Sequence, residues 1–390
     1  MRHRPDLNAP VLPGADGSPR ILVIKLSDFG DALLTTPALA QLRAALPAAR
    51  IDVLTTRIGA VAYRHSSLVD DLLCFDKSVY DRPLALLSQP ADLFGLAARL
   101  RRRGYDALAL MHTLTTRFGA LKHAGLCLAS GAPIRAGLRR PSSPRGAFLT
   151  HWGTDFGFDR QHAVEVGESV AAALLAALGQ APAEAPPRHL RFEPGPAAES
   201  AAEALLKPLM VADAPLVAIH PGSGSFSTAR RWSPAGFASV ADRLAAQGAR
   251  ILVVGGPDDG CDAVVGAMRR PPALDLSGRS DLPTLAAILA RCRLLVGNDS
   301  GVSHLASAMG CPVVAVFGPS NPVAWGPWWP GVDARGRPAA SPHRVVRLGL
   351  PCQPCFYVGY RRGSPAGCPS RDCLAWMPAD RVIAAAESLL

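Results

Sequence analysis

Short leucine-rich and β-branched runs alternate with alanine-rich stretches of helical period along almost the whole chain, and this alternation constrains the fold more than any other feature. The runs are apolar throughout rather than at every second position, which is the mark of strands covered on both faces of a parallel sheet. Strands are predicted over residues 21–26, 51–55, 107–112, 216–220, 250–255, 294–297 and 313–317, and helices over 91–102, 163–178, 235–247 and 283–292. Residues 179–198 (GQAPAEAPPRHLRFEPGPAA) are proline-rich and carry neither period, so an interdomain linker is expected there. A chain of 390 residues is too long for one ordinary core. The expected organisation is therefore α/β: a tail over 1–20, a doubly wound domain over 21–180, a linker over 181–198, a second such domain over 199–377, and a closing helix over 378–390.

The formal net charge of +10 implies an anionic partner, with arginines grouped at Arg99, Arg101, Arg102 and Arg103 and at Arg135, Arg139, Arg140 and Arg145. No nucleic-acid motif or interleaved aromatic platform accompanies them, so nucleic acid is not the expected partner. Neither a membrane-length apolar run nor a signal-type leader is present, and the chain reads as soluble and cytoplasmic. Cysteines bunch only at Cys352, Cys355, Cys368 and Cys373, a C-x2-C-x12-C-x4-C spacing that two converging thiolate pairs could use to hold zinc or iron. Four reduced thiols in a loop-rich tail fit the same spacing.

After the strand ILVIKL comes SDFGDALLTTPALAQL. Gly30 permits a tight turn, Asp31 follows it at the strand's carboxyl end, and Thr36 and Pro37 read as the cap and first residue of a helix with Leu39, Leu42 and Leu46 facing the core. That edge is where open α/β sheets place their chemistry. Lys25, Ser27 and Asp28 share the loop. By itself the pattern is also that of an Asx turn.

Three segments of the second half end strands at the corresponding edge. In GNDSGVSHLASAMG, Asp299 or Ser300 caps a short helix after Asn298, Gly301 allows close approach to its first amides, and His304 lies one turn along. In HPGSGSFSTARRWSP, Ser223 and Thr228 belong to a polar loop, and Arg230 and Arg231 offer guanidinium forks that match phosphate oxygens. Asp258 and Asp259 follow a Gly-Gly-Pro turn and could accept bonds from a nucleoside. Neither a G-x-G-x-x-G nor a P-loop pattern is present, which argues against a dinucleotide dehydrogenase or a P-loop ATPase.

Together, KLSDFGDALLTTPAL, HPGSGSFSTARRWSP and GNDSGVSHLASAMGCPVVAVFGPS resemble, in order and separation, the ADP-heptose:lipopolysaccharide heptosyltransferases of glycosyltransferase family 9. The segment RQHAVEVGESVAAALLAALG and the tail cysteines are similar to parts of that family as well. The resemblance implies a GT-B fold, two Rossmann-like domains facing a central cleft, with the last helix crossing back to the first domain. It also implies an inverting transfer of heptose from ADP-heptose to an anionic lipopolysaccharide-type acceptor at the inner membrane, Asp31 as base, and no metal in catalysis. Lys25, Ser27, Asp28 and Gly30 would lie beside the acceptor. Ser223, Thr228, Arg230, Arg231, Asp258, Asp259, Asn298, Asp299, Ser300, Gly301 and His304 would hold the donor. The alternatives are a transferase for another sugar nucleotide, a protein heptosyltransferase, and a non-catalytic nucleotide-sugar-binding protein. Asp28, Arg at 230 and the long insertion between the cysteines with Arg361 and Arg362 depart from the family pattern, and Trp325, Trp328 and Trp329 match no part of it.

Overall fold

A computed structural model of the chain describes residues 17–75, 90–140, 143–181, 188–209, 214–224, 226–333 and 337–390. The run ILVIKL supplies most of β1 (Arg20–Lys25), whose four middle residues are fully buried. It lies inside a six-stranded sheet with β2 (Arg50–Thr55), β3 (Asp71–Cys74), β4 (Ala107–Leu110), β5 (Ile134–Arg139) and β6 (His151–Thr154), in the order β3-β2-β1-β4-β5-β6. The second half repeats the arrangement with β7 (Leu216–His220), β8 (Arg250–Val253), β9 (Leu274–Asp275), β10 (Leu294–Asn298), β11 (Val313–Val316) and β12 (Arg344–Val346), in the order β12-β11-β10-β7-β8-β9. Adjacent strands pair in parallel, with Ile21 opposite Ile51 on one side and Ala107 on the other.

Around the first sheet stand α1 (Phe29–Leu33), α2 (Thr36–Ala45), α3 (Pro90–Arg102), α4 (Arg117–Ser130) and α5 (Ala163–Ala177). The second carries α6 (Pro196–Leu206), α7 (Pro234–Ala246), α8 (Cys261–Ala267), α9 (Leu282–Leu289), α10 (Gly301–Ala308), α11 (Pro322–Trp325), α12 (Asp372–Ala375) and α13 (Ala379–Glu387). Both faces of β1 are apolar because both are covered. Ile21 and Val23 join Leu39, Leu42 and Val170, while Leu22 and Ile24 join Leu96, Leu100 and Cys127. Burying such side chains stabilises the fold by about 1.5–3 kcal/mol each. In each sheet the chain reverses direction of winding between two neighbouring strands, β1 and β4 in one and β7 and β10 in the other. Crevices at such switch points are the ligand-binding edges of doubly wound sheets.

Three expectations need correction. Residues 1–16 of the predicted tail and 182–187 of the predicted linker lie outside the described residues, and α6 already packs on α9 of the second domain from Pro196. Thr35, not Thr36, is the cap position of α2; the Thr36 hydroxyl instead donates to the Leu33 carbonyl. The last helix, α13, does not cross back to the first domain. Its Val382 and Ala386 are buried against the second sheet's outer layer, and Glu387 pairs with Arg243 of α7 at 2.9 Å. A hairpin of the tail makes the return instead: Phe158 N donates to the Gly359 carbonyl at 2.7 Å, and the Tyr360 hydroxyl donates to the Asp155 carbonyl at 3.1 Å. Among the described residues no helix is long and apolar enough to cross a membrane.

A candidate active site between the two sheets

The edges of β1, β7 and β10 open on one cleft of about 370 Å³. On the first-domain side, α1 replaces the turn expected at Gly30, with Asp28 at its cap position and Asp31 in its first turn. Asp28, Gly30 and Asp31 all line the cleft. Gly30 has a helical backbone, so its lack of a side chain serves close approach rather than turning. A Cβ there would stand 2.7 Å from the Gly301 Cα, across the domain boundary. The end of α1 is held from behind, where the Tyr63 hydroxyl lies 2.8 Å from the Ala32 carbonyl and 2.7 Å from the Thr35 hydroxyl. Lys25 and Ser27 are not among the lining residues; Ser27 is buried and its carbonyl accepts from Thr56 at 2.6 Å.

On the opposite wall, α10 points its N-terminus at the cleft through Ser300 and Gly301, where unpaired amides and the helix dipole favour an anion. Arg230 Nη1 donates to Asp299 at 3.0 Å, and its Nη2 donates to the Ser223 carbonyl. Burial works against the Arg230 charge, but Asp299 outweighs it and holds the guanidinium pKa above its ordinary value. His304 is buried, and burial pushes its pKa down to about 4. It therefore meets a ligand at neutral pH as a hydrogen-bonding group, not as the cation that would add charge. Four buried polar atoms of lining residues lack protein partners: Ser300 Oγ, Arg230 Nε, His304 Nδ1 and Trp325 Nε1. Such groups cost about 1–3 kcal/mol each when left unmatched, so their concentration here marks a place where a polar ligand completes the structure.

The remaining predicted donor residues divide. Ser223 and Asp259 line the cleft, whereas Thr228 and Arg231 border an adjoining cavity of about 460 Å³ that Asp259 also touches. Asp258 borders neither. Asn298 is fully buried and acts as scaffold: its Nδ2 donates to the Pro221 carbonyl at 2.7 Å and its Oδ1 accepts from Trp232 N at 3.0 Å. The two arginines expected to meet phosphate are both partnered, Arg230 by Asp299 and Arg231 by Asp259 at 3.5 Å. Arg362, which sequence reasoning left unassigned, lines the cleft with its guanidinium 4.3 Å from the Phe226 ring centre and has no carboxylate partner among the described residues. Trp325 and Tyr357 complete that wall. Trp328 has a different task, with its indole N–H donating to the Arg188 carbonyl and its ring 4.7 Å from that of His162 in the first domain.

The tail thiols lie near one another, since Cys355, Cys368 and Cys352 join burial in pushing the Cys373 pKa up to about 11. All four are free, with Cys373 buried and the other three exposed. Among the described residues no group of three or more His, Cys, Asp or Glu side chains is arranged to hold a metal ion.

The molecule is thus a doubly wound pair of domains whose cleft sets an anion-accepting edge opposite a carboxylate. The chain belongs to glycosyltransferase family 9, the heptosyltransferase family, whose model matches residues 93–357. A lipopolysaccharide heptosyltransferase 3 from Escherichia coli is 33% identical over 101 residues, 25% of this chain and 30% of that protein, so the chain spans under a third of that relative's length. The crystal structure of a family 9 glycosyltransferase from Veillonella parvula matches at 25% identity with a TM-score of 0.71, over 95% of this chain and 97% of that one. The E. coli heptosyltransferase WaaC with ADP matches at 19% identity with a TM-score of 0.65, over 95% and 100% of the two chains. The fold is thus GT-B, as the family resemblance implies.

Proposed function

We propose that this chain is an inverting heptosyltransferase that moves heptose from ADP-heptose to a lipopolysaccharide core or related surface glycan. The observation that carries the reading is the facing of Asp31 on α1 and the partnerless polar atoms around the α10 N-terminus across one cleft. The Asp31 carboxylate takes the proton of the acceptor hydroxyl as that oxygen attacks the anomeric carbon. The bond from that carbon to the diphosphate oxygen breaks on the opposite face, and ADP leaves with the electron pair. A positioned base contributes on the order of 100- to 10,000-fold.

Charge developing on the diphosphate is met by α10 amides, Arg230 and Arg362, with Ser300 and His304 as hydrogen-bond partners, so the reading routes no step through a metal. Asp299 orients Arg230, and Asp259 serves the nucleoside from the border of both cavities. Elsewhere in the first domain, Arg140 stacks 3.9 Å from the Tyr360 ring centre and Arg139 4.6 Å from that of Trp152, cations suited to an anionic acceptor. In this reading the acceptor is anchored in lipid and the enzyme works at the cytoplasmic face of the inner membrane. The test is transfer of heptose to heptose-deficient core with ADP and UDP as competitors. The reading expects transfer that ADP inhibits and UDP does not; binding of ADP with every core acceptor left untouched overturns the acceptor half.

A further inference from the structure

We infer that Tyr357 is a specificity-determining residue whose hydroxyl bonds a ring hydroxyl of the transferred sugar; the inference rests on the proposed reading of the cleft. In that reading the reacting carbon lies between the base that takes a proton and the diphosphate that leaves. Tyr357 borders that same space, and its phenol feels the charges of Asp31 on one wall and of Arg230 and Asp299 on the other. Burial first, and then Asp31, push its pKa up to about 12, so at neutral pH it is an intact O–H donor and acceptor.

The surroundings of the ring account for its aromatic part and leave the hydroxyl unexplained. Phe158 of the first domain and Trp325 of the second pack on it with ring centres 5.1 and 5.2 Å away, contacts a phenylalanine would make equally well. Among the described residues the hydroxyl has no hydrogen-bond partner. Yet the residue is held at a φ of 57°, a conformation costly for a side chain of this size. Two bonds hold it there: Asn321 Nδ2 donates to the Tyr357 carbonyl at 2.9 Å, and Tyr357 N donates to the Arg362 carbonyl at 3.1 Å. The same Asn321 amide reaches Asp159 of the first domain at 2.7 Å, so the anchor of Tyr357 also contacts the opposite domain. A strained, doubly anchored tyrosine with a partnerless hydroxyl between base and leaving group is built to read the sugar. A site that hydrogen-bonds a substrate hydroxyl discriminates strongly against analogues that lack it.

The test compares wild type with Tyr357→Phe, which keeps the ring contacts. Titrations with ADP and with ADP-heptose, and steady-state transfer, are measured on the full chain. The expected result is an ADP affinity and melting temperature close to wild type, with the preference for ADP-heptose over ADP and kcat/KM each reduced about 10-fold or more. A Phe variant with wild-type preference and wild-type turnover overturns the inference. Failure of the wild type itself to transfer heptose contradicts the reading of the reaction, whereas the ratio of the two affinities decides Tyr357 in either case.

Discussion

Buried histidines give this protein a pH dependence that belongs to single residues. Burial holds the pKa of His162, His304 and His343 at about 4, and that of His220 below its ordinary value. In the unfolded chain each binds a proton near pH 6.5, so below that pH the unfolded state carries more protons and is favoured, until the folded pKa is reached. The folded state is expected to lose about 1.4 kcal/mol per pH unit for each of His162, His304 and His343 between pH 6.5 and 4, with His220 adding in the same direction. Urea midpoints at pH 7.5, 6 and 5 check this, and midpoints that do not move contradict it. At this scale the sequence was only partly legible. GNDSG and its histidine announce an anion site, but the neutral state of His304 depends on burial, and the Arg230–Asp299 pair joins residues far apart in the chain. The role of Asn298 as a strut for Pro221 and Trp232 was equally out of reach, because it depends on which loop lies beside β10.

At the scale of elements, the two short helices at the cleft are matched to each other. α1 and α10 meet through Gly30 and Gly301, where a Cβ on the second would stand 3.2 Å from Gly30 N. Gly30→Ala is expected to force the domains apart while leaving the donor wall intact. Its kcat should fall by at least about 10-fold, since small misplacements of reacting groups are costly, with ADP affinity little changed. Kinetics and ADP titration of the variant check this; wild-type kcat contradicts it. The buried central strands were legible because they are continuous apolar runs. β3, β9 and β12 are two- to four-residue edge strands, and β5 carries arginines and a glycine, so neither run length nor period marks them. α1 escaped for a similar reason: five residues are too few to show a helical period.

At the scale of the whole molecule, one apolar core runs from the first sheet through α5 and α6 to the second, and three separate crossings tie the domains at the cleft. These are the glycine contact, the Trp328 packing on His162, and the tail hairpin anchored at Asp155, Phe158 and Asp159. The order of two α/β halves was legible from their repeated alternation. What reaches back across the cleft was not, because the tail between Cys355 and Cys368 has no period and its docking depends on backbone bonds to a distant loop. All three crossings bring the α1 carboxylate opposite the anion-accepting wall, and the account stands on that juxtaposition. Its most direct test is Asp31→Ala, measured for heptose transfer from ADP-heptose and for ADP binding in the same preparation. The account predicts a fall in kcat of at least about 100-fold with ADP affinity within about 2-fold of wild type; turnover near the wild-type rate would contradict it.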